Sequence, residues 1–295
     1  MIRVGTSGWS YADWEGIVYP REKPAGFHPL AHLARFVDCV EINSSFYAPS
    51  NPRHAERWVE LTREHPEFRF TAKLLSDFTH GPAPQVGDEN WATRAGLWCA
   101  GLAPLVEAGC LDAVLAQFAV SFKDTVLARD RLERLASRFG PYGLVAELRH
   151  RSWFTAEARE FLSAHGYSLA HIDLPAHADH PPDWHEPTGP IGYLRLHGRN
   201  SSEWFRRGAG RDDRYNYLYG PEELPPLVEK ARRLAGETDK TFVLTNNHFE
   251  GQALANALEF SAALHGESVL APTELVARYP QLETSTRAVG QAELF

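Results

Sequence analysis

The chain has 295 residues, 43% hydrophobic and 23% charged, and its 16 Phe, 10 Tyr and 8 Trp supply the material of a large core. That composition excludes a disordered chain, and a formal net charge of −8 opposes general binding to a phosphate backbone. No stretch approaches the roughly 18 consecutive apolar residues of a membrane span, and the first residues carry no leader pattern, so a cytoplasmic protein without membrane contact is expected.

Taken in chain order, β-rich runs recur at residues 2–5, 39–43, 68–73, 113–118, 144–149, 168–173, 193–197 and 242–247. Amphipathic segments with helix signals lie between most of them, at 52–64, 91–107, 125–139, 155–165, 221–234 and 252–265. Pro221, ahead of Glu222 and Glu223, reads as the first residue of its helix. Eight strands alternating with helices predict a single (β/α)8 TIM barrel over residues 1–282, followed by a frayed polar tail at 283–295. No GxGxxG or P-loop pattern follows a strand, which argues against an open nucleotide-binding sheet, and no cofactor is expected. Cys39, Cys99 and Cys110 show no CxxC spacing and sit among apolar residues, as reduced core thiols do.

Two stretches break the rhythm: 175–190, rich in Pro, His and Asp, and 198–220, rich in Arg and aromatic residues. Both follow strands, so both belong to the barrel end where active sites form. Strand side chains alternate faces, and the helix-facing set should be apolar. The inward set is then Arg3, Glu41, Asn43, Arg69, Thr71, Lys73, Gln117, Glu147, Arg149, His171, Asp173, Arg195, His197, Thr245 and Asn247. Five permanent positive charges (Arg3, Arg69, Lys73, Arg149, Arg195) face three negative ones (Glu41, Glu147, Asp173), against the sign of the whole chain. An internal ion-pair network would account for such a lumen, most readily for Arg3 and Arg69 at the closed end. Residues at the C-terminal strand ends are the better functional candidates.

The opening Gly5-Thr6-Ser7-Gly8-Trp9-Ser10-Tyr11, with Trp14, Gly16, Tyr19 and Pro20, resembles the signature of the YecE-like domain-of-unknown-function family. The likeness continues through Val40-Glu41-Ile42-Asn43-Ser44-Ser45-Phe46-Tyr47, Lys73 with Thr79-His80, and Gln117-Phe118. Further on come Glu147-Leu148-Arg149-His150, Arg195-Leu196-His197-Gly198-Arg199, Tyr215 to Tyr219, and Asn246-Asn247-His248 with Gly251-Gln252-Ala253. These motifs span residues 1 to about 265 in the family's order. Ala119 departs from it, where the family often has Pro. The resemblance implies a TIM barrel and no established activity.

Trp9, Tyr11, Trp14, Phe46, Tyr47, Trp153 and Trp204 put aromatic faces around the mouth, suited to stacking on a sugar or base or to packing as a lid. The 198–220 stretch sets Arg199, Arg206, Arg207, Arg211 and Arg214 against Glu203, Asp212 and Asp213, among Trp204, Phe205, Tyr215, Tyr217 and Tyr219. Basic residues among aromatics suit phosphate or single-strand recognition, or a self-pairing lid. Glu147, Asp173 and His197 end successive strands in the manner of divalent-metal sites on other barrels, but Arg149 and Arg195 supply positive charge where a dication would sit, so no metal is expected.

The leading expectation is an enzyme, a hydrolase, lyase or isomerase, acting on a small anionic ligand, phosphorylated or nucleotide-like. Glu147, His197 and Asp173 are the catalytic candidates. Lys73, Arg149 and Arg195 would hold the anion, with Asn43, Gln117, Asn247, Glu41, Trp9, Tyr11, Tyr47 and Arg199 completing the site. A nucleic-acid binding or processing protein similar to endonuclease IV-like barrels, disfavoured by net charge, and a non-catalytic ligand sensor are the alternatives.

Overall fold

The computed structural model describes residues 1–82, 87–204, 206, 208 and 210–290. Its main sheet is a nearly closed, all-parallel, TIM-barrel-like ring. The strands are β1 (Ile2–Ser7), β2 (Cys39–Ile42), β3 (Arg69–Lys73), β4 (Leu111–Gln117), β5 (Leu144–Glu147), β6 (Ser168–Leu169 continuing as His171–Asp173), β7 (Ile191–Leu196) and β8 (Lys240–Thr245). Each pairs with its sequence neighbours, and β8 returns to β1 through Ile2↔Thr241 to Thr6↔Thr245. The first half of β6 pairs with β5 and the second with β7, the ladder shifting partner at Ala170, whose N–H still donates to the Ala146 carbonyl at 2.9 Å.

Among the described residues, six long helices pack outside the ring: α1 (Pro52–Leu61), α2 (Glu89–Glu107), α3 (Val126–Phe139), α4 (Ala156–Ala164), α5 (Leu224–Gly236) and α6 (Gln252–His265). Local chemistry starts most of them. Asn51, Asp88, Thr125 and Thr155 each turn a side-chain oxygen to a backbone N–H of the first turn, at 3.0 to 3.2 Å, satisfying a donor that has no partner within the helix. The helix expected from Pro221 begins at Leu224 instead. Residues 221–223 form a turn in which the Glu223 side chain accepts from Gly220 N at 2.9 Å, and Pro225 then takes a first-turn position where its missing N–H costs nothing. Among the described residues, no helix is long and apolar enough to cross a membrane.

The core has two parts. Val4, Val40, Phe70, Val114, Ala146, Leu194 and Val243 belong to a large cluster shared with the helices. Their alternates Cys39, Leu115, Val145, Ala170, Tyr193, Phe242 and Leu244 form a second cluster inside the ring. The lumen is therefore not polar throughout, as expected, but an apolar plug under a polar layer. Two strand phases are corrected by the same observation. Ala170 faces the lumen while Leu169 joins the helix side, so His171 and Asp173 point outward; Phe242 and Leu244 face inward, so Thr245 and Asn247 point outward and Asn246 inward. In β6 the outward polar residues are covered by the long loops rather than by an apolar helix face. In β8 three consecutive apolar residues leave periodicity undecided.

At the closed end Arg3 pairs with Glu67 at 3.7 Å and Arg69 with Asp112 at 3.5 Å. The tail expected to fray from 283 is ordered through Val289: Thr286–Val289 pairs in parallel with Val269–Pro272, and the new ladder gives its backbone groups the partners that the sequence pattern did not disclose. Residues 291–295 lie outside the described residues. Cys39 and Cys99 are buried, and none of the three cysteines is in a disulfide.

Gly5 lets β1 and β2 approach closely, since a Cβ there would stand 1.8 Å from the Cys39 carbonyl oxygen. Gly5→Ala is expected to destabilise the fold by at least about 2 kcal/mol, read as a lower urea midpoint. Gly96→Ala within α2, where an added Cβ meets nothing within 4 Å, should be neutral or stabilising by up to about 1 kcal/mol.

Candidate functional site

The inward residues at the C-terminal ends of β1, β2, β5 and β7 meet at Arg195, which is 0% exposed. Its NH2 donates to Glu41 Oε1 at 2.6 Å and Ser7 Oγ at 3.1 Å, and its NH1 to Glu147 Oε2 at 2.5 Å. Both carboxylates have further donors. Glu41 accepts from Ser7 Oγ and Tyr193 OH, each at 2.9 Å, with Lys73 Nζ at 3.6 Å. Glu147 Oε1 accepts from Gln117 Nε2 at 2.7 Å and Arg149 Nε at 2.8 Å, with His197 Nε2 at 3.4 Å.

Burial alone would raise the Glu147 carboxyl, but Arg195, Arg149 and His197 together hold it well below the usual carboxylate range. Glu41 is held down in the same sense by Arg195 and Lys73 against its burial. Burial lowers His197 to about 4 despite the pull of Glu147, so the ring is neutral at pH 7. Asn246 Nδ2 lies 2.9 Å from His197 Nδ1, and His197 Nε2 lies 3.3 Å from Arg195 NH1 and 3.4 Å from Glu147 Oε1, so the ring is held from both sides. Burial also lowers Lys73, to about 8. Three positive side chains (Arg195, Lys73, Arg149) thus stand against two carboxylates and a neutral imidazole. The layer carries one surplus positive charge.

Above this layer opens a cavity of about 620 Å³. Its floor has Lys73, Gln117, Asn43 and Asn246; its aromatic walls are Trp9, Tyr11, Phe46, Tyr47, Trp58 and Tyr215; His28, His54, His248, Arg57, Ser10 and Ser44 complete the polar lining. Among the described residues, no Asp or Glu lines it. The β1 loop reaches this position through Gly8, at φ +87°, where a Cβ would lie 2.7 Å from Tyr11 OH and 2.9 Å from Asn43 Nδ2. Tyr11 stacks on His248 with ring centres 4.6 Å apart, and Tyr47, 71% exposed, forms the outer rim.

The residues expected at the site divide into three groups. Lys73, Asn43, Gln117, Trp9, Tyr11 and Tyr47 line the cavity; Glu41, Glu147, Arg195 and His197 lie in the closed layer beneath it, with Arg149 alongside, 19% exposed and held on Glu147. Asp173, Arg199 and Asn247 lie elsewhere, on the outer face of the ring. Asp173 is gripped by Arg199 Nε and NH2 at 2.9 and 2.6 Å and by Tyr219 OH at 2.7 Å, and Asn247 Nδ2 donates to Tyr217 O and Asn256 Oδ1. Glu147, Asp173 and His197 therefore do not converge. Among the described residues, no group of three or more His, Cys, Asp or Glu is placed to hold a metal ion.

In the 198–220 stretch, Arg206 pairs with Glu203 and Asp213, and Arg199 with Asp173 and Glu223, so these charges are spent within the fold. Phe205, Arg207 and the Arg211 side chain lie outside the described residues. Periodicity missed Ser7, Tyr193 and Asn246. The first two share a face with Arg3 and Arg195, a signal available in the sequence, and Asn246 was hidden by the ambiguous phase of β8. His28, His54, Arg57 and Trp58 come from a loop and from α1, where strand alternation says nothing.

Residues 3–278 match the model of a family described as "Protein of unknown function DUF72". The chain belongs to that family. It is 28% identical to the UPF0759 protein YunF of Bacillus subtilis over 285 residues, covering 93% of this chain and 99% of that one. The UPF0759 protein YecE of Escherichia coli K12 is 32% identical over 83 residues, 28% of this chain and 27% of its own. Among solved structures, a DUF72 family protein of Thermotoga maritima superposes with a TM-score of 0.74 at 33% identity, over 90% of this chain and 99% of that chain. One from Enterococcus faecalis gives 0.78 at 24% identity, over 90% and 96%.

Removing Arg195 leaves two buried carboxylates short of their shared partner. Arg195→Ala is expected to cost about 3 to 5 kcal/mol in denaturant unfolding, against about 0.5 kcal/mol or less for the exposed Arg53→Ala. The neutral His197 gives a second expectation. Its folded pKa of about 4 lies below the unfolded value, near 6.5, so between these the unfolded chain binds the extra proton. Its contribution is complete above about pH 6.5 and is lost as pH falls, by about 2 kcal/mol between pH 7 and 5. His32, His171 and His185 are also lowered, chiefly by burial, and add to the acid loss. Urea unfolding at both pH values should therefore show a shallower loss in His197→Gln than in wild type, by about that amount.

Proposed function

We propose that the cavity is an enzyme site for a small anionic ligand with a ring or sugar, of the phosphosugar or nucleotide-like class. The observation that carries this reading is the lining: Lys73 on the floor, Arg57 and three histidines on the walls, six aromatic faces, and no described carboxylate. A volume of about 620 Å³ suits such a ligand, since small-molecule sites run from roughly 300 to 1,000 Å³. The surplus positive charge supports it further. Arg195 spends its two terminal nitrogens on Glu41 and Glu147, and Arg149 is held on Glu147, so the attraction at the cavity lining comes from Lys73, joined by Arg57, which shares its charge with the exposed Glu60. Arg195 acts as the positioning residue for both carboxylates. Gln117 stands between Glu147 and the cavity, and Asn246 stands between His197 and the cavity.

Calorimetric titration with inorganic phosphate and with a phosphosugar checks the reading. A charge-assisted hydrogen bond in a desolvated site is worth about 1.5 to 3 kcal/mol, so Lys73→Met should weaken binding roughly 10- to 100-fold. Arg53→Ala should leave it unchanged. If neither anion binds, or if Lys73→Met binds as tightly as wild type, the site is not an anion site.

A further inference from the structure

We propose that Lys73 is a covalent nucleophile, condensing through Nζ with the carbonyl carbon of an aldehyde or ketone bound in the cavity. Taken with the anion reading above, on which the substrate class rests, the substrate is a phosphorylated or otherwise anionic carbonyl compound.

Lys73 is the last residue of β3, so its side chain rises from the barrel wall into the cavity floor. It is 12% exposed, enough for a ligand to reach and too little for ordinary hydration. Its carboxylate contact is long, 3.6 Å to Glu41 Oε1, and that oxygen already receives Arg195 NH2 at 2.6 Å and Ser7 Oγ at 2.9 Å. The other lysines differ. The chain has five: Lys23 is held by Glu15 at 2.6 Å, Lys240 by Asp112 at 2.9 Å, Lys230 by Asp183, and Lys123 is exposed to solvent. Arg195 and Arg149 next to Lys73 disfavour a further positive charge, and so does burial, the larger effect. The amine titrates at about 8, whereas an exposed lysine titrates near 10.4. Lowering an amine by desolvation and neighbouring cations is how lysines become nucleophiles at neutral pH.

The step balances without an oxidant or reductant. The ammonium gives one proton to water in the cavity, and the free amine forms an N–C bond to the carbonyl carbon as the C=O π pair moves to oxygen. A proton passes from nitrogen to that oxygen, giving the carbinolamine. The nitrogen lone pair then forms C=N as the C–O bond breaks, and the departing hydroxide takes a proton to leave as water. The product is a protonated imine carrying the same single positive charge as the starting ammonium, so the balance against Glu41 and Glu147 is preserved. An iminium withdraws electrons from the adjacent carbon, the activation that lyase and isomerase chemistry on carbonyl compounds requires.

The probe is pyridoxal 5′-phosphate, an aromatic aldehyde with an anionic group, used with borohydride to reduce any imine to a stable amine that peptide mass spectrometry locates. Pyridoxine 5′-phosphate, an alcohol that forms no imine, reports binding alone. At pH 8 about half of the Lys73 amine is free, against well under about 1% for an ordinary lysine. The reduced adduct is therefore expected on Lys73 at least roughly tenfold over Lys123 at limiting reagent. Labelling should rise with pH through about 8, and pyridoxine 5′-phosphate should suppress it. Lys73→Arg keeps the charge, so it should still bind pyridoxine 5′-phosphate while losing the adduct.

If pyridoxine 5′-phosphate binds but the label is spread over the lysines or favours Lys123, the nucleophile is overturned and the anion site stands. If Lys73 is labelled equally by pyridoxal with and without its phosphate, and pyridoxine 5′-phosphate gives no protection, the nucleophile is supported and the anion site is overturned. The mapping on wild-type protein needs no variant to fold.

Discussion

Much of this site depends on one guanidinium held between two carboxylates. Arg195 joins β7 to Glu41 on β2 and to Glu147 on β5, so a single side chain ties together strands from opposite parts of the ring. Removing an arginine and two carboxylates from water is costly, and their mutual attraction offsets the cost only when the remaining lone pairs are also filled. Ser7, Tyr193, Gln117, Arg149 and His197 fill them. Because Arg195 and Arg149 are taken up by the two carboxylates, Lys73 on the floor and Arg57 on the wall are left as the positive charges that line the cavity. The packing of the network thus sets the sign of the site.

The layering below and above sharpens that effect. Under the ionic layer, Leu115, Val145, Tyr193, Phe242 and Leu244 close the lumen with apolar surface, so solvent reaches the charges only from the cavity side. Low polarity on one side strengthens the interactions of the layer and lowers both His197 and Lys73, each principally through burial. The same imidazole on an exposed loop would titrate near neutrality and the same lysine would stay protonated at pH 8.

The long segments after β6 and β7 have a different origin. His171 and Asp173 face outward, where a helix would normally present apolar side chains. His171 stacks on His185 at 3.8 Å between ring centres, and Asp173 holds Arg199 and Tyr219. Tyr219 OH in turn accepts from Gly198 N at 2.9 Å. Polar residues on the outer wall therefore fasten these loops to the barrel, with Arg199 on Asp173, while Arg206 pairs with Glu203 and Asp213 inside its own loop. Basic and aromatic residues close in sequence read as a ligand surface; in three dimensions Arg199 braces the loop against β6 and the half-exposed Arg206 pairs with carboxylates of the loop itself.

By itself the sequence determined the α/β alternation, the eight strands and the inward phase of β1 to β3 and β7, where apolar residues alternate with Arg3, Glu41, Lys73 and Arg195, and of β4 and β5 through the single polar residues Gln117 and Glu147 at their C-terminal ends. It determined the family as well, through motifs spread over most of the chain. Period-two alternation carries no information where a strand is apolar on both faces, as at Phe242 to Leu244, or polar on its outer face, as at His171 and Asp173. There only the tertiary structure decided that Asn246 looks in and that Asp173 and Asn247 look out. Composition counted the lumen charges, yet which of them pair depends on distances of a few ångströms between strands far apart in sequence. So only the fold could separate Arg195, enclosed by its carboxylates, from Lys73, left at the floor of the cavity.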